Sequence, residues 1–131
     1  MFGNGVHEMV LAGDNTEPIQ TWGLQVAEYG RQGVAKHLVF MGIHSRIIEL
    51  APVPYREYAR GPQGNAKIKL WNSIMLEVSN STGMFSAVDP FFITDQLDIS
   101  YRDSEDGMHM GFWVNLQKVQ LVLQDIRKMK L

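Results

Sequence analysis

A chain of 131 residues, 45% hydrophobic and 20% charged, can bury one modest core and not two, so a single domain over 1–131 is expected. With 12 Lys and Arg against 14 Asp and Glu the net charge is -2, which argues against binding along a phosphate backbone, so nucleic acid is not an expected partner. The lack of cysteine removes disulfides, thiol catalysis and thiolate metal sites, and no apolar run nears the roughly 18 residues of a membrane span.

The opening MFGNGVHEMV has neither the basic start nor the apolar core of a signal peptide, from which a cytoplasmic chain is expected. Residues 6–15, VHEMVLAGDN, are mostly apolar and close on Gly13, Asp14 and Asn15, which predicts a short strand running into a turn. Pro18 suits the first turn of a helix, and Ile19, Trp22, Val26 and Tyr29 follow at near-helical spacing until Gly30 and Gly33 close it. Residues 36–45, KHLVFMGIHS, hold a continuous apolar run of the kind buried on both faces of a parallel sheet. RIIELAPVPY, 46–55, is a second such run, stopped by Pro52 and Pro54. Only Ser45 and Arg46 separate the two, yet parallel neighbours need a crossover of at least about ten residues. Either 37–51 is one long bent strand or a crossover helix is missing, and the second is preferred.

From Tyr55 to Asn65 the chain is polar and reads as a loop. Residues 66–80 place Ile68, Trp71, Met75 and Val78 on one helical face, with Lys67 and Lys69 on a solvated one. Residues 83–90, GMFSAVDP, give a third strand. Residues 113–130 form the clearest helix, with Val119, Val122, Leu123 and Ile126 repeating at helical spacing and Arg127, Lys128 and Lys130 suiting its C-terminal dipole. Trp22, Trp71 and Trp113 all fall on these helices, where core packing is expected. Strands alternating with helices predict an α/β fold, a three-layer sandwich on a small, mostly parallel sheet.

Asp106 and His109 match the pattern D-x-x-H just before the last helix, beside Gly107. A histidine works as a general base only when a second group fixes its tautomer, and a carboxylate three residues earlier on a tight loop can hold Nδ1 while Nε2 faces a nucleophile. The competing reading is a turn or capping aspartate and an ordinary loop histidine. His7, His37, His44 and His109 show no metal-ligand spacing, so neither a metal nor another cofactor is expected. Asn80-Ser81-Thr82 fits the N-glycosylation acceptor pattern, which matters only for a chain in the secretory pathway.

DGMHMGFWVNLQKVQLVLQDI resembles the C-terminal block of SGNH or GDSL-type esterases and acyltransferases, in which an Asp-x-x-His loop feeds the final helix. HLVFMGIHS is similar to the strand and loop of that family's third block. RIIELAPVPY resembles the strand that follows, and WNSIMLEVSNSTGMFSAVDPFFITD the next helix, strand and aspartate-bearing loop. The resemblance covers roughly 36–129 and is nearest to the sialic-acid O-acetyltransferase and PC-esterase-like branch. It implies an SGNH-like fold, a small-molecule or carbohydrate ester as substrate, His109 as general base and Asp106 as its orienting partner. The family's Gly-Asp-Ser nucleophile has no counterpart, since LAGDN puts Asn15 where the serine belongs, and an amide is not a useful nucleophile. Nor does GIHS supply the family's Gly-x-Asn-Asp oxyanion donors, for which the Gly42 N–H and the His44 or Ser45 side chain are the available substitutes. Ser45, following a strand, is also a candidate replacement nucleophile. A relative shortened at its front half accounts for both gaps, and so does a catalytically inactive binding module.

Overall fold

Residues 38–43, LVFMGI, carry no charge and no break until Gly42, so the run can be covered on both sides, as a central strand requires. In the computed structural model, which describes residues 2–3, 6–62, 64–96 and 103–129, this run holds the middle of a three-stranded parallel sheet. Strand β1 (Phe2–Gly3) lies on one side of β2 (Val39–Met41) and β3 (Ser86–Val88) on the other, with Phe2 opposite Phe40 and Val39 opposite Ser86. Among the described residues six α-helices accompany it: α1 (Val6–Ala12), α2 (Glu17–Arg31), α3 (Arg56–Arg60), α4 (Asn65–Thr82), α5 (Phe91–Gln96) and α6 (Phe112–Lys128).

Side chains alternate across a strand, and β2 uses both faces. Phe40 joins Ile19, Val26 and Ala27 of α2 and Ile68, Trp71 and Met75 of α4 in the main core, with Trp22 edge-on to the Phe40 ring. Val39 and Met41 point the other way, where Val88 of β3 meets Val122 and Ile126 of α6. The fold is therefore mixed α/β with helices on both faces of a parallel sheet. Crossovers β1 to β2 and β2 to β3 step in one direction, which places α2 and α4 on the same face. None of the described helices is long and apolar enough to cross a membrane.

The expected helices at 19–29 and 66–80 and the strands in 36–45 and 83–90 are present, and the helix expected over 113–130 runs Phe112–Lys128, Lys130 lying outside the described residues. Helix α4 stops where Gly83 takes a left-handed φ of 63° and its N–H donates to the Ser79 carbonyl. Four expectations are corrected. Residues 6–12 form α1 rather than a strand: a short, mostly apolar segment suits either state, and helix brings Met9 fully into the core with residues of α2 and α4. Residues 46–55 are not a strand either. They fold as two 3-10 turns, Ile48–Leu50 and Val53–Tyr55, in which the N–H groups of Leu50, Ala51 and Tyr55 return to carbonyls three residues back instead of joining a ladder. No crossover is missing, because β2 ends at Met41 and the link to β3 runs through α3 and α4. The 55–65 loop contains α3.

Side-chain expectations need two revisions. On α6 the buried stripe is Val114, Lys118 and Val122, while Val119, Leu123 and Trp113 are exposed. Lys67 is mostly covered, 3.9 Å from Asp14, whereas Lys69 lies over the Phe91 ring.

Candidate acid–base site

In a parallel sheet all strand carboxyl ends share one edge, and there the exits from β2 (42–47) and β3 (89–91) meet the loop 103–111 that leads into α6. Asn72 of α4 ties the two exits together. Its Oδ1 accepts the Ile43 N–H at 2.9 Å, and its Nδ2 donates to the Ile43 carbonyl and to Asp89 Oδ1, each at 2.7 Å.

The loop builds its own geometry from short-range bonds. Asp106 Oδ1 accepts the N–H groups of Met108 at 2.8 Å and His109 at 2.7 Å, the aspartate turn that favours Asp at such positions. Ser104 Oγ accepts the Gly107 N–H and donates to the His109 carbonyl, both at 2.9 Å. Gly107 turns at φ 69°, and a Cβ there would collide with the Ile47 carbonyl oxygen, so the position requires glycine. With Oδ1 occupied, Oδ2 of the same carboxyl lies 2.5 Å from His109 Nδ1.

Partial burial alone would raise the Asp106 pKa, but the N–H and ring of His109 and the N–H of Met108 outweigh it and bring the carboxyl down to about 2. Asp106 is thus a carboxylate at neutral pH and can only accept. It follows that Nδ1 of His109 carries a proton, and in the neutral ring Nε2 holds the lone pair. The His109 ring is 88% exposed and borders a hollow of about 440 Å³ lined by Asp103, Ser104, Glu105, Asp106, Met110 and Gly111. The pair is geometrically able to take a proton from water or a hydroxyl in that hollow.

The three candidates after β2 do not face this hollow as donors or nucleophile. The Gly42 N–H, expected to be free for an oxyanion, donates to the Val88 carbonyl at 2.9 Å. Ser45 is buried, its hydroxyl donating to Thr94 Oγ1 at 2.7 Å, so nothing activates it and no substrate reaches it. His44 uses both ring nitrogens internally: Nε2–H donates to the Met108 carbonyl at 2.7 Å, and Nδ1 accepts from Lys118 Nζ at 2.9 Å. Nor is LAGDN a displaced nucleophile block, because its first two residues end α1 rather than a strand and Asn15 Oδ1 accepts the Glu17 N–H at the start of α2. The Gly13 turn borders a separate cavity of about 650 Å³, with Asp14, Lys67 and Trp71, that shares no lining residue with the His109 hollow.

Two residues at this edge were not anticipated. Arg46 is only 8% exposed, donates to the Met108 carbonyl at 3.3 Å, and is held through its backbone by Asn65, whose amide both accepts its N–H and donates to its carbonyl. Lys118 is 6% exposed and donates to His44 and to Asn115 Oδ1. The available signal was a lysine placed four residues from both Val114 and Val122, hence on their helical stripe. Burial, then the Lys118 and Arg46 charges, lowers the His44 pKa to about 4 against a smaller opposing pull from the Met108 carbonyl; burial and Arg46 lower Lys118 to about 8. Among the described residues no cluster of three His, Asp or Glu side chains converges as metal ligands would. Compared with protein-family models, curated proteins and solved structures, the chain matches none.

Proposed function

We propose that the chain is an SGNH-like ester hydrolase or O-acyltransferase domain acting on an acyl ester, of a carbohydrate or another small molecule. The observation that carries the reading is the 2.5 Å contact between Asp106 Oδ2 and His109 Nδ1, which leaves Nε2 as a lone-pair base open to the hollow at the sheet's carboxyl edge. His109 Nε2 takes the proton of an attacking O–H as that oxygen adds to the ester carbonyl. It then returns the proton to the departing alkoxide, and Asp106 stabilises the imidazolium between the two steps. Ser45 is excluded as the attacking group by its burial and its bond to Thr94, so that oxygen belongs to another hydroxyl or to water. The parallel sheet with helices on both faces and the D-x-x-H loop leading into the last helix support an SGNH-like arrangement.

The test is hydrolysis of an unactivated acetyl sugar ester, since an exposed imidazole cleaves activated phenyl esters unaided. His109→Ala should lower turnover by about 100-fold or more. Turnover indifferent to His109→Ala overturns the reading. A serine-directed fluorophosphonate distinguishes a serine nucleophile, which it labels, from attack by water, which it leaves unlabelled.

A second reading, a catalytically inactive binding module of the same fold, draws on the Gly42 N–H and the Ser45 hydroxyl both being committed inside the protein. It expects folded wild-type chain with neither turnover nor labelling.

A further inference from the structure

Two cations and a histidine meet beneath the candidate pair, and all three bear on one backbone atom, directly or in sequence. The Met108 carbonyl accepts from His44 Nε2 and from Arg46 Nη1, and the Lys118 ammonium, which has only donors to offer, fixes the His44 tautomer by occupying Nδ1. Met108 stands inside the Asp106 turn, its own N–H donating to Asp106 Oδ1. We propose that His44, Arg46 and Lys118 are positioning residues, which hold the Met108 carbonyl and through it the turn that seats Asp106 against His109. The proposal rests on reading that pair as the acid–base pair.

The energetics favour a geometric role over a merely cohesive one. Burying Lys118 and Arg46 near each other costs free energy that an apolar pair of similar volume avoids. Arg46 Nε is buried with no acceptor among the described residues. What the arrangement supplies is direction: two donors from the 42–47 segment, His44 and Arg46, converge on one carbonyl of a half-buried loop, and Lys118 of α6 fixes the tautomer in which His44 donates. The second staple, from the Ile47 N–H to the Gly107 carbonyl at 3.0 Å, fixes the loop's position but not the orientation of the peptide that follows. The charged and titratable groups facing His44 are Lys118 from α6, Arg46 from its own segment and His109 from the loop.

The decisive measurement follows the backbone amide protons of Met108 and His109 by NMR at pH 7, above the range in which His44 takes a second proton, a readout independent of turnover. In the wild type both donate to Asp106 Oδ1, so both lie downfield and exchange slowly. In His44→Ala and Lys118→Met the turn loosens, and both amides move upfield and exchange about tenfold faster or more. His44→Gln, whose amide nitrogen replaces the ring donor toward the Met108 carbonyl, stays near the wild type. If His44→Ala does not fold, Lys118→Met, which keeps most of the side-chain volume, carries the test. Folded variants in which both amides keep their wild-type shifts and exchange rates overturn the proposal. Failure of the ester reading is seen separately, as turnover indifferent to His109→Ala, and does not affect these amides.

Discussion

Gly107 concentrates the local constraints of the site in one residue. Its left-handed φ of 69° disfavours any L side chain, and the Ile47 carbonyl fills the space where a Cβ would go. Gly107→Ala should destabilise the protein by about 2–4 kcal/mol, read as a lower urea midpoint, because backbone strain and displacement of the 44–47 segment add. The tryptophans make a contrasting pair. Trp71 is 2% exposed in the main core, so Trp71→Ala should cost about 3–5 kcal/mol. Trp113 is 68% exposed and packs edge-on against Phe112, so Trp113→Ala should stay within about 0.5 kcal/mol. Equal losses in urea denaturation at the two positions would contradict this assignment of buried and exposed faces.

Helix α6 shows what sequence periodicity resolves and what it leaves open. Its existence is legible, but it carries two stripes of helical spacing: Phe112, Leu116, Val119 and Leu123, and Val114, Lys118 and Val122. The expected stripe, Val119, Val122, Leu123 and Ile126, straddles the two: the fold buries Val122 and packs Ile126 beside it but exposes Val119 and Leu123, while Lys118 finds His44 and Asn115 on the buried side. The same limit divides the site. The Asp106 turn and its histidine are legible because all their bonds span three residues or fewer. The contacts of Met108 with His44 and Arg46, and of His44 with Lys118, span 62 to 74 residues, and no spacing rule reaches them. The 46–55 run misleads for a related reason, since its apolar composition suits a strand while the N–H groups of Leu50, Ala51 and Tyr55 close on neighbouring carbonyls. Lys118 also gives α6 a pH signature. Its folded pKa of about 8 lies below the ordinary 10.5, so between those values the unfolded chain holds a proton that the folded chain lacks, and stability rises with pH. The rise is on the order of 2–3 kcal/mol and should be missing from Lys118→Met, compared by urea titration at pH 7.5 and about 10.

For the whole molecule, the cluster joining α6, the β2 exit and the 103–111 loop sets the response to acid. His44 titrates at about 4 in the fold against an ordinary 6.5, because burial and the Lys118 and Arg46 charges oppose a second proton. Between those values the unfolded chain binds a proton that the folded chain refuses, so stability falls as pH drops from 6.5 to 4. Asp106 extends the loss: its folded value of about 2 lies below the ordinary 3.8, so its contribution, complete above 3.8, disappears as pH falls toward 2. Both groups act in the same direction: a second proton on His44 breaks its Nδ1 bond from Lys118, and protonation of Asp106 weakens the bonds that shape the 103–111 loop. The His44 step is on the order of 1–3 kcal/mol. It is isolated by comparing wild type with His44→Gln, which keeps a donor toward Met108 but does not titrate. The urea midpoint of the wild type should fall more steeply than that of the variant between pH 6.5 and 4, and the two should run parallel below pH 4, where Asp106 acts in both. Parallel curves across the whole range would mean that His44 titrates in the folded protein at its ordinary 6.5, and hence that the burial and the Lys118 contact assigned to it are wrong.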